Sequence, residues 1–233
     1  MVWNKIYEEV AALVEDAGPF GLLFRGHRDA EWKLIPGIGR TRVSHSTEKS
    51  IYFDYQTMAG PLLPEGINPW SLAISMQHHG IPTRLLDWTD SFAVALYFAL
   101  RDEGREVPCV WMLDPYELNR ELSQDPTLFT MKDIIGDYQT IFIDRDKKLS
   151  GSVVAAAPGR HHPRAFSQKS HFTIHMDSRT SLDELAPKAV RKFLIPRRAI
   201  ADARRFLLIA GVNEYSLFPD LDGLAREIRR IHF

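Results

Sequence analysis

The fold is set by one stretch, Gln77-His78-His79-Gly80-Ile81-Pro82-Thr83-Arg84-Leu85-Leu86-Asp87-Trp88-Thr89-Asp90, which continues into Ser91-Phe-Ala-Val-Ala-Leu-Tyr-Phe-Ala99. Its first part is crowded with polar and ionisable side chains, and its second part has the small-residue repeat of a closely packed helix. Polar groups buried beside a core are costly unless they have partners. The stretch therefore predicts a functional site where a short strand meets a helix.

Composition is that of an ordinary globular protein. The chain has 233 residues, of which 45% are hydrophobic and 25% charged. No segment approaches the ~18 consecutive apolar residues of a membrane span, and the start of the sequence lacks the pattern of a signal peptide. Cys109 is the single cysteine and cannot form an internal disulfide. These features predict a cytoplasmic protein with no membrane partner.

Periodicity and turn residues outline the rest of the fold. Helices gather early and at the end of the chain, while strands cluster irregularly between them, without the regular alternation of a parallel sheet. We therefore expect one α+β domain over residues 1–233. The main predicted elements are a helix over 4–16, a strand over 20–26, the block 77–99, short strands at Trp32–Ile35 and Thr140–Ile143, and C-terminal helices within 199–231.

Charge is unevenly distributed, although the net charge is −1. Residues 1–159 carry 15 Lys and Arg against 22 Asp and Glu, whereas residues 160–233 carry 14 against 8. Such a bias is typical of a solvated helix face, or of a contact with an anionic ligand or nucleic acid. The cations in question are Arg191, Lys192, Arg197, Arg198, Arg204 and Arg205.

Arg25 closes an apolar strand, where a long cation is costly unless it is paired or faces a cleft. One interpretation is an ion pair with Asp87 or a Glu that joins two strand ends. The other is a clamp for an anion or a carboxamide. Gly26 follows, and its lack of a side chain would let a ligand approach the backbone closely.

Asp87, Trp88 and Thr89 end the second strand-like segment. Asp87 or Thr89 could cap the helix that starts at Ser91, or they could face a pocket in which the Trp88 indole forms a wall. Of the adjacent His78 and His79, one is expected to face the cleft. The two point in different directions on a helix, so we expect no metal site there. The sequence also contains no Gly-rich phosphate loop, no nucleophile elbow and no zinc-protease motif.

The Phe24-Arg25-Gly26 tripeptide and the stretch from Gln77 resemble the FRG domain family, which is named for that tripeptide. The resemblance covers nearly the whole chain, so we expect a single FRG domain over residues 1–233. It extends to Trp32-Lys-Leu-Ile-Pro36 with Arg40, to Arg164-Ala-Phe-Ser-Gln168 with Phe172-Thr173, and to the run Gly211–Gly223.

FRG domains are distantly similar to the ADP-ribosyltransferase superfamily, which binds NAD in a cleft between two small sheets. The resemblance implies two small, mostly antiparallel sheets that form a cleft flanked by helices. It also implies a site at the matching positions. These are Arg25, Asp87 and Gln168 for catalysis, and Gly26, His78, Trp88, Thr89 and Tyr97 for binding NAD.

Gln168 departs from the superfamily pattern, which has Glu at the corresponding position. A neutral Gln keeps a hydrogen bond to a ribose hydroxyl but gives up the charge that opposes an oxocarbenium ion. Asp87 is the candidate to supply that charge from across the cleft.

Two functions follow as hypotheses, and a third possibility is that the FRG block is a structural polar cluster and that the function lies in partners. The first is an NAD-dependent ADP-ribosyltransferase-like enzyme, a bacterial or phage toxin or defence effector that modifies a macromolecular acceptor, either protein or nucleic acid. NAD is its substrate, and no metal is needed. The alternative is a nucleic-acid or nucleotide binding module that uses the basic C-terminal third without catalysis. An enzyme needs Arg25, Asp87 and Gln168 in one cleft, whereas a binding module needs a continuous basic face over 191–205.

Overall fold

The protein is described by a computed structural model that covers residues 2–18, 21–102, 104–157 and 169–233. A 3-10 turn lies at Gly60–Leu62 and a π-helical turn at Gln139–Ile143. The α-helices of the described ranges are α1 (Val2–Ala17), α2 (Gly37–Thr41), α3 (His45–Met58), α4 (Pro69–His78), α5 (Phe92–Leu100), α6 (Pro115–Ser123), α7 (Leu182–Leu185), α8 (Arg197–Ile209), α9 (Glu214–Leu217) and α10 (Leu221–His232).

The strands form one mixed sheet in the described part of the chain, with the order β4-β5-β6-β2-β1-β3-β7. The β4–β5 pair is parallel and the other neighbours are antiparallel. The α+β prediction is thus confirmed, but the prediction of two sheets is wrong. The strands are β1 (Leu23–His27), β2 (Leu85–Thr89), β3 (Cys109–Leu113), β4 (Phe129–Thr130), β5 (Val153–Ala157), β6 (Ser170–His175) and β7 (Val190–Leu194).

The junction between β1 and β2 explains why the strands form one sheet and not the two sheets that were expected. Among the described residues, these strands pair at a single position, Phe24 with Thr89, whereas β1–β3, β2–β6 and β3–β7 each pair over five positions. That pair joins β4-β5-β6-β2 to β1-β3-β7, and beyond it the two halves diverge. The sheet is continuous, yet it opens at its centre.

One face of the sheet carries two apolar clusters on either side of this junction. Side chains directly opposite one another on paired strands lie on the same face, so Leu85, Asp87 and Thr89 share a face with Phe24. Helices α1, α5 and α8 cover the β1-β3-β7 half, where Phe24 is buried, and helices α3 and α4 cover the β2-β6 half, where Leu85 is buried. A cleft is left between the two groups of helices.

Helices α4 and α5, which flank this cleft, both begin at capped termini. The Asn68 side chain accepts a hydrogen bond from Ser71 N at 2.9 Å, with Pro69 at the first helical position of α4. Ser91 accepts from Val94 N at 3.4 Å and caps α5. The helix that the sequence predicts from Ser91 is confirmed, but its cap is Ser91 itself and not Asp87 or Thr89.

Two predicted strands are absent from the described structure. Residues 32–35 form turns and bends rather than a strand. Residues 139–143 form the π-helical turn, which Asp137 holds by accepting a hydrogen bond from Thr140 N at 2.8 Å. β-branched and aromatic residues at 140–143 suggested a strand. Local hydrogen bonds to the Asp137 side chain, together with burial of Ile141 and Phe142, favour the helical turn.

Candidate active-site cleft

A well-lined cleft lies on the open side of the β1–β2 junction. Its volume is about 410 Å³, within the range of roughly 300–1,000 Å³ that is usual for small-molecule sites. Strands β1, β2 and β6 form its floor, and α4 and α5 form its sides. The lining residues that the sequence had singled out are Arg25, Gly26, Gln77, His78, Asp87, Trp88 and Thr89.

Arg25 lies in the gap where β1 and β2 diverge. Its Nη1 donates to the Asp87 carbonyl oxygen at 2.7 Å, and its Nε donates to His27 Nε2 at 3.0 Å. The same Nη1 is 3.8 Å from Asp87 Oδ2. Burial lowers the pKa of the guanidinium to about 10, against the opposing effect of Asp87 and with a further decrease from Arg40. Arg25 therefore stays charged at neutral pH and joins the strand ends, as the ion-pair interpretation proposed.

His27 and His175 are buried neutral histidines next to this arrangement. Burial lowers the pKa of His27 to about 3, and the charges of Arg25 and Arg40 lower it further. Burial likewise lowers the pKa of His175 to about 3, although Asp177 raises it. Because His27 Nε2 accepts from Arg25, the neutral ring is the form that the structure needs.

We expect the free energy of unfolding to decrease as the pH falls from about 6.5 toward about 3. The folded pKa values lie below the ordinary value of 6.5, so protons bind the unfolded chain first. The contribution of each neutral histidine to the free energy of unfolding is fully present above pH ~6.5. Below that pH the contribution decreases, by up to about 1.4 kcal/mol per pH unit for each histidine. Urea unfolding between pH 7 and 5 measures the slope.

Two variants test whether His175 contributes to this pH dependence of the free energy of unfolding. They are His175→Gln and, as its control, His232→Gln. His175→Gln removes one buried titrating group, so the variant should take up fewer protons on unfolding than wild type, by up to one. The plot of its free energy of unfolding against pH should therefore be less steep. His232→Gln, which replaces an exposed histidine at the end of α10, is the control for the substitution itself. Equal slopes for wild type and His175→Gln would contradict the assignment.

Gln77 links α4 to β2 through a short hydrogen-bonded chain. Its Nε2 donates to Asp87 Oδ2 at 2.7 Å, and its Oε1 accepts from Thr83 Oγ1 at 2.7 Å. Thr83 Oγ1 in turn accepts from Leu85 N at 3.1 Å. These bonds orient the Asp87 carboxylate, whose side chain is still 42% exposed to the cleft. Asp87 is therefore a fixed negative charge that a bound molecule can reach.

Thr89 and Gly26 contribute mainly to the local fold. Thr89 Oγ1 accepts from Ser91 N at 3.1 Å and fixes the turn into α5. A Cβ atom on Gly26 would lie 1.9 Å from the Ala95 carbonyl oxygen and 2.6 Å from Ala99 N. Glycine is thus required at position 26 because α5 packs directly on β1. The sequence-based reason, close approach of a ligand, is not needed to explain it.

Trp88 borders the cleft, but its indole belongs to the core. The residue is 2% exposed and lies in the apolar cluster of the opposite sheet face, with Leu86 and Trp111. Its Nε1 donates to Thr173 Oγ1 at 3.0 Å, and Thr173 Oγ1 lies 2.8 Å from His175 Nε2. Alternation along β2 sends Trp88 away from Asp87 and Thr89, so the indole does not supply the ring-stacking wall that the sequence suggested.

An aromatic wall is present elsewhere in the cleft. Phe98 of α5 and Phe218 lie edge to face with ring centroids 6.1 Å apart. The guanidinium of Arg101 lies 4.9 Å from the Phe218 ring centroid, and that of Arg226 lies 5.5 Å from it. Sequence reasoning missed this wall, although Phe218 lies in the run Gly211–Gly223 that carried part of the family resemblance.

The three remaining residues that the sequence assigned to the site are His78, Tyr97 and Gln168. His78 lines the cleft from the end of α4. Tyr97 does not line it, and its hydroxyl donates to Glu214 Oε2. Gln168 lies outside the described residues. The next described strand, β6, begins at Ser170, which pairs with Thr89 and lines the cleft.

The basic run of the C-terminal third is largely used within the protein. Arg191 pairs with Glu9, and Lys192 donates to the Ala30 carbonyl oxygen at 2.7 Å while lying 4.5 Å from the Trp111 ring centroid. These residues lie on β7, whereas positions 197–205 lie on α8. The described structure therefore offers limited support for one continuous basic face over 191–205.

Two further features follow from the described ranges. They contain no group of three or more His, Cys, Asp or Glu side chains placed to hold a metal ion. They also contain no helix of the length and apolarity that crossing a membrane requires.

Comparison with known proteins gives one match. Residues 21–107 match the family model of the FRG domain. The matched segment includes β1, β2, α4 and α5, and thereby most of the cleft floor and both of its sides. No curated protein and no solved structure matches the chain.

Proposed function

We propose that the cleft, most of which lies in the FRG domain of residues 21–107, binds NAD and transfers ADP-ribose to a macromolecular acceptor. The observation that carries the proposal is the opening between β1 and β2. There a charged Arg25 and a solvent-accessible Asp87 face a cleft with an aromatic wall. Extension of the FRG domain over residues 1–233 remains a prediction from the sequence.

Each part of the cleft suits a part of the substrate. Arginine binds phosphate and ribose oxygens as a donor with a fixed charge. Aromatic faces such as Phe98 and Phe218 stack with flat rings. In the reaction, the bond between ribose C1′ and the nicotinamide nitrogen breaks, and its electron pair leaves with neutral nicotinamide. A nucleophile of the acceptor forms the new bond to C1′ and loses its proton to solvent.

In this proposal, Asp87 supplies the negative charge that stabilises the transition state. Cleavage of the nicotinamide–ribose bond develops positive charge on the ribose, and a preorganised carboxylate stabilises that charge. Gln77 holds the Asp87 carboxylate through a 2.7 Å hydrogen bond, so little reorganisation is needed when the charge develops. The buried Arg25, whose Nη1 lies 3.8 Å from Asp87 Oδ2, balances the charge of this carboxylate before reaction.

Gln168 provides a test that is specific to the proposed chemistry. If this position has the role of the superfamily's acid, Gln168→Glu should maintain or raise the release of nicotinamide from labelled NAD. Gln168→Ala should lower it by roughly ten- to a hundredfold, at about 1.4 kcal/mol per tenfold in rate. A thermal melt of each variant is the control. Loss of stability in both variants without a selective change in turnover would contradict a catalytic role.

A further inference from the structure

A second, strongly polar cavity lies on a different part of the molecule. Its volume is about 280 Å³, and it shares no lining residue with the cleft. Three segments surround it: the connection between α2 and α3, the residue Arg145 after the π-helical turn, and the loop after β6. The lining residues on which its charge depends are Arg42, His45, Glu48, Arg84, Arg145, Asp177 and Arg179.

Arg84 and Glu48 form an internally balanced ion pair at this cavity. Arg84 Nε is 2.6 Å from Glu48 Oε1, and Arg84 Nη2 is 2.7 Å from Oε2. The remaining Nη1 donates to the Met176 carbonyl oxygen at 2.9 Å. A two-pronged pair of this kind fixes both side chains. It contributes no net charge to the cavity.

The other carboxylate at the cavity is directed to its own loop. Asp177 Oδ1 accepts from Arg179 N at 2.9 Å and from Thr180 N at 3.1 Å. In the described ranges, Arg42, Arg145 and Arg179 form no ion pair with a carboxylate, and all three are exposed. Three exposed arginines therefore line a concave polar site, in which the Glu48 carboxylate is paired with Arg84 and the Asp177 carboxylate accepts from backbone N–H groups of its own loop.

Two of these arginines also have an unusual backbone. Arg42 has φ of 53° and Arg145 has φ of 63°, in the left-handed region that favours glycine. A non-glycine residue in such a conformation has a local energetic cost and persists where its surroundings require it. Both positions face the same cavity. The chain thus keeps arginine at two places where glycine would suit the backbone better.

We propose that this cavity binds a phosphate group, either of a small inorganic phosphate or of a nucleotide. Arginine fits this ligand because its planar donors match phosphate oxygens in pairs. The three arginines outnumber Asp177, the one lining carboxylate of the described residues that no cation pairs with, so the concave site favours a terminal phosphate with more than one negative charge. The proposal does not rest on NAD binding in the cleft, which has a separate set of residues.

The test is calorimetric titration with pyrophosphate at constant ionic strength. Arg42→Gly and Arg145→Gly remove a cation and relieve the left-handed backbone, so both variants should stay folded. Each should weaken binding by roughly ten- to a hundredfold, because hydrogen bonds to charged groups are among the strongest in proteins. Gln124→Gly is the backbone control, since Gln124 also has a positive φ, of 60°. Arg198→Gln on α8 controls for net charge.

The expected result is saturable one-site binding in wild type and both controls, with weakened binding in the two cavity variants and unchanged NAD binding in all of them. Titration with a nucleoside 5′-monophosphate identifies the source. Tighter binding than pyrophosphate indicates a nucleotide, and weaker binding indicates inorganic phosphate. The proposal is overturned if wild type shows no saturable binding, or if Arg198→Gln weakens binding as much as Arg42→Gly.

Discussion

Trp88→Ala should lower the free energy of unfolding by about 3–5 kcal/mol, the range for removing a large aromatic side chain from a core. The indole is almost completely buried and donates a hydrogen bond to Thr173 at 3.0 Å. The substitution therefore leaves a cavity and removes a partner from the Thr173–His175 pair. Urea unfolding in the absence of ligand measures the loss.

Trp32→Ala is the matched control for this substitution. Trp32 also lines the cleft, but it is 43% exposed and contacts Arg28 with its ring face. Its removal should cost less than about 1 kcal/mol. If Trp88→Ala unfolded like wild type and lost only ligand binding, the indole would belong to the ligand site and the core assignment would be wrong.

Asp87→Asn should slow nicotinamide release by about a hundred- to a thousandfold, the usual effect of removing one preorganised electrostatic group from a site. Asparagine keeps the shape and can still accept from Gln77, and the Arg25 bond to the backbone carbonyl is unaffected by the change. The melting temperature should therefore change little. Release from labelled NAD, measured beside a melt, separates the two effects.

Asp102→Asn provides a control within the same cleft. Asp102 lines the cleft and pairs with Arg28 at 3.5 Å, but its side chain is 65% exposed and has no bond to Gln77 or Arg25. Its release rate should stay close to that of wild type. An equal decrease in both variants would mean that general negative charge, and not Asp87, matters.

The sequence predicted the elements around the cleft because their signals are local. The small-residue repeat of Ala93, Ala95 and Ala99 is typical of a closely packed helix, and α5 forms there. The position of Arg25 at the end of an apolar strand left two interpretations open, and the ion pair with Asp87 is part of one of them. These inferences depend on residues that are close in sequence or have one dominant physical requirement.

Two of the failures have long-range causes, and the one at Trp88 has a local cause. Whether two strand groups form one sheet or two depends on a single pair, Phe24 with Thr89, that no local pattern reveals. Trp88 lies next to Asp87 in sequence, yet alternation places it on the other face. Phe218 reaches the cleft only because α9 and α10 pack beside α5, where Glu214 bonds to Arg101 at 2.9 Å.

The most direct test of the account is a calorimetric titration of NAD into wild type, Arg25→Gln and Arg191→Gln. Arg191 pairs with Glu9 outside the cleft, so its variant controls for the loss of one surface arginine. We predict saturable one-to-one binding to wild type and Arg191→Gln, and binding weakened at least ~tenfold in folded Arg25→Gln. Absence of NAD binding by wild type, or equal affinity in all three proteins, would contradict the proposal that this cleft is an NAD site.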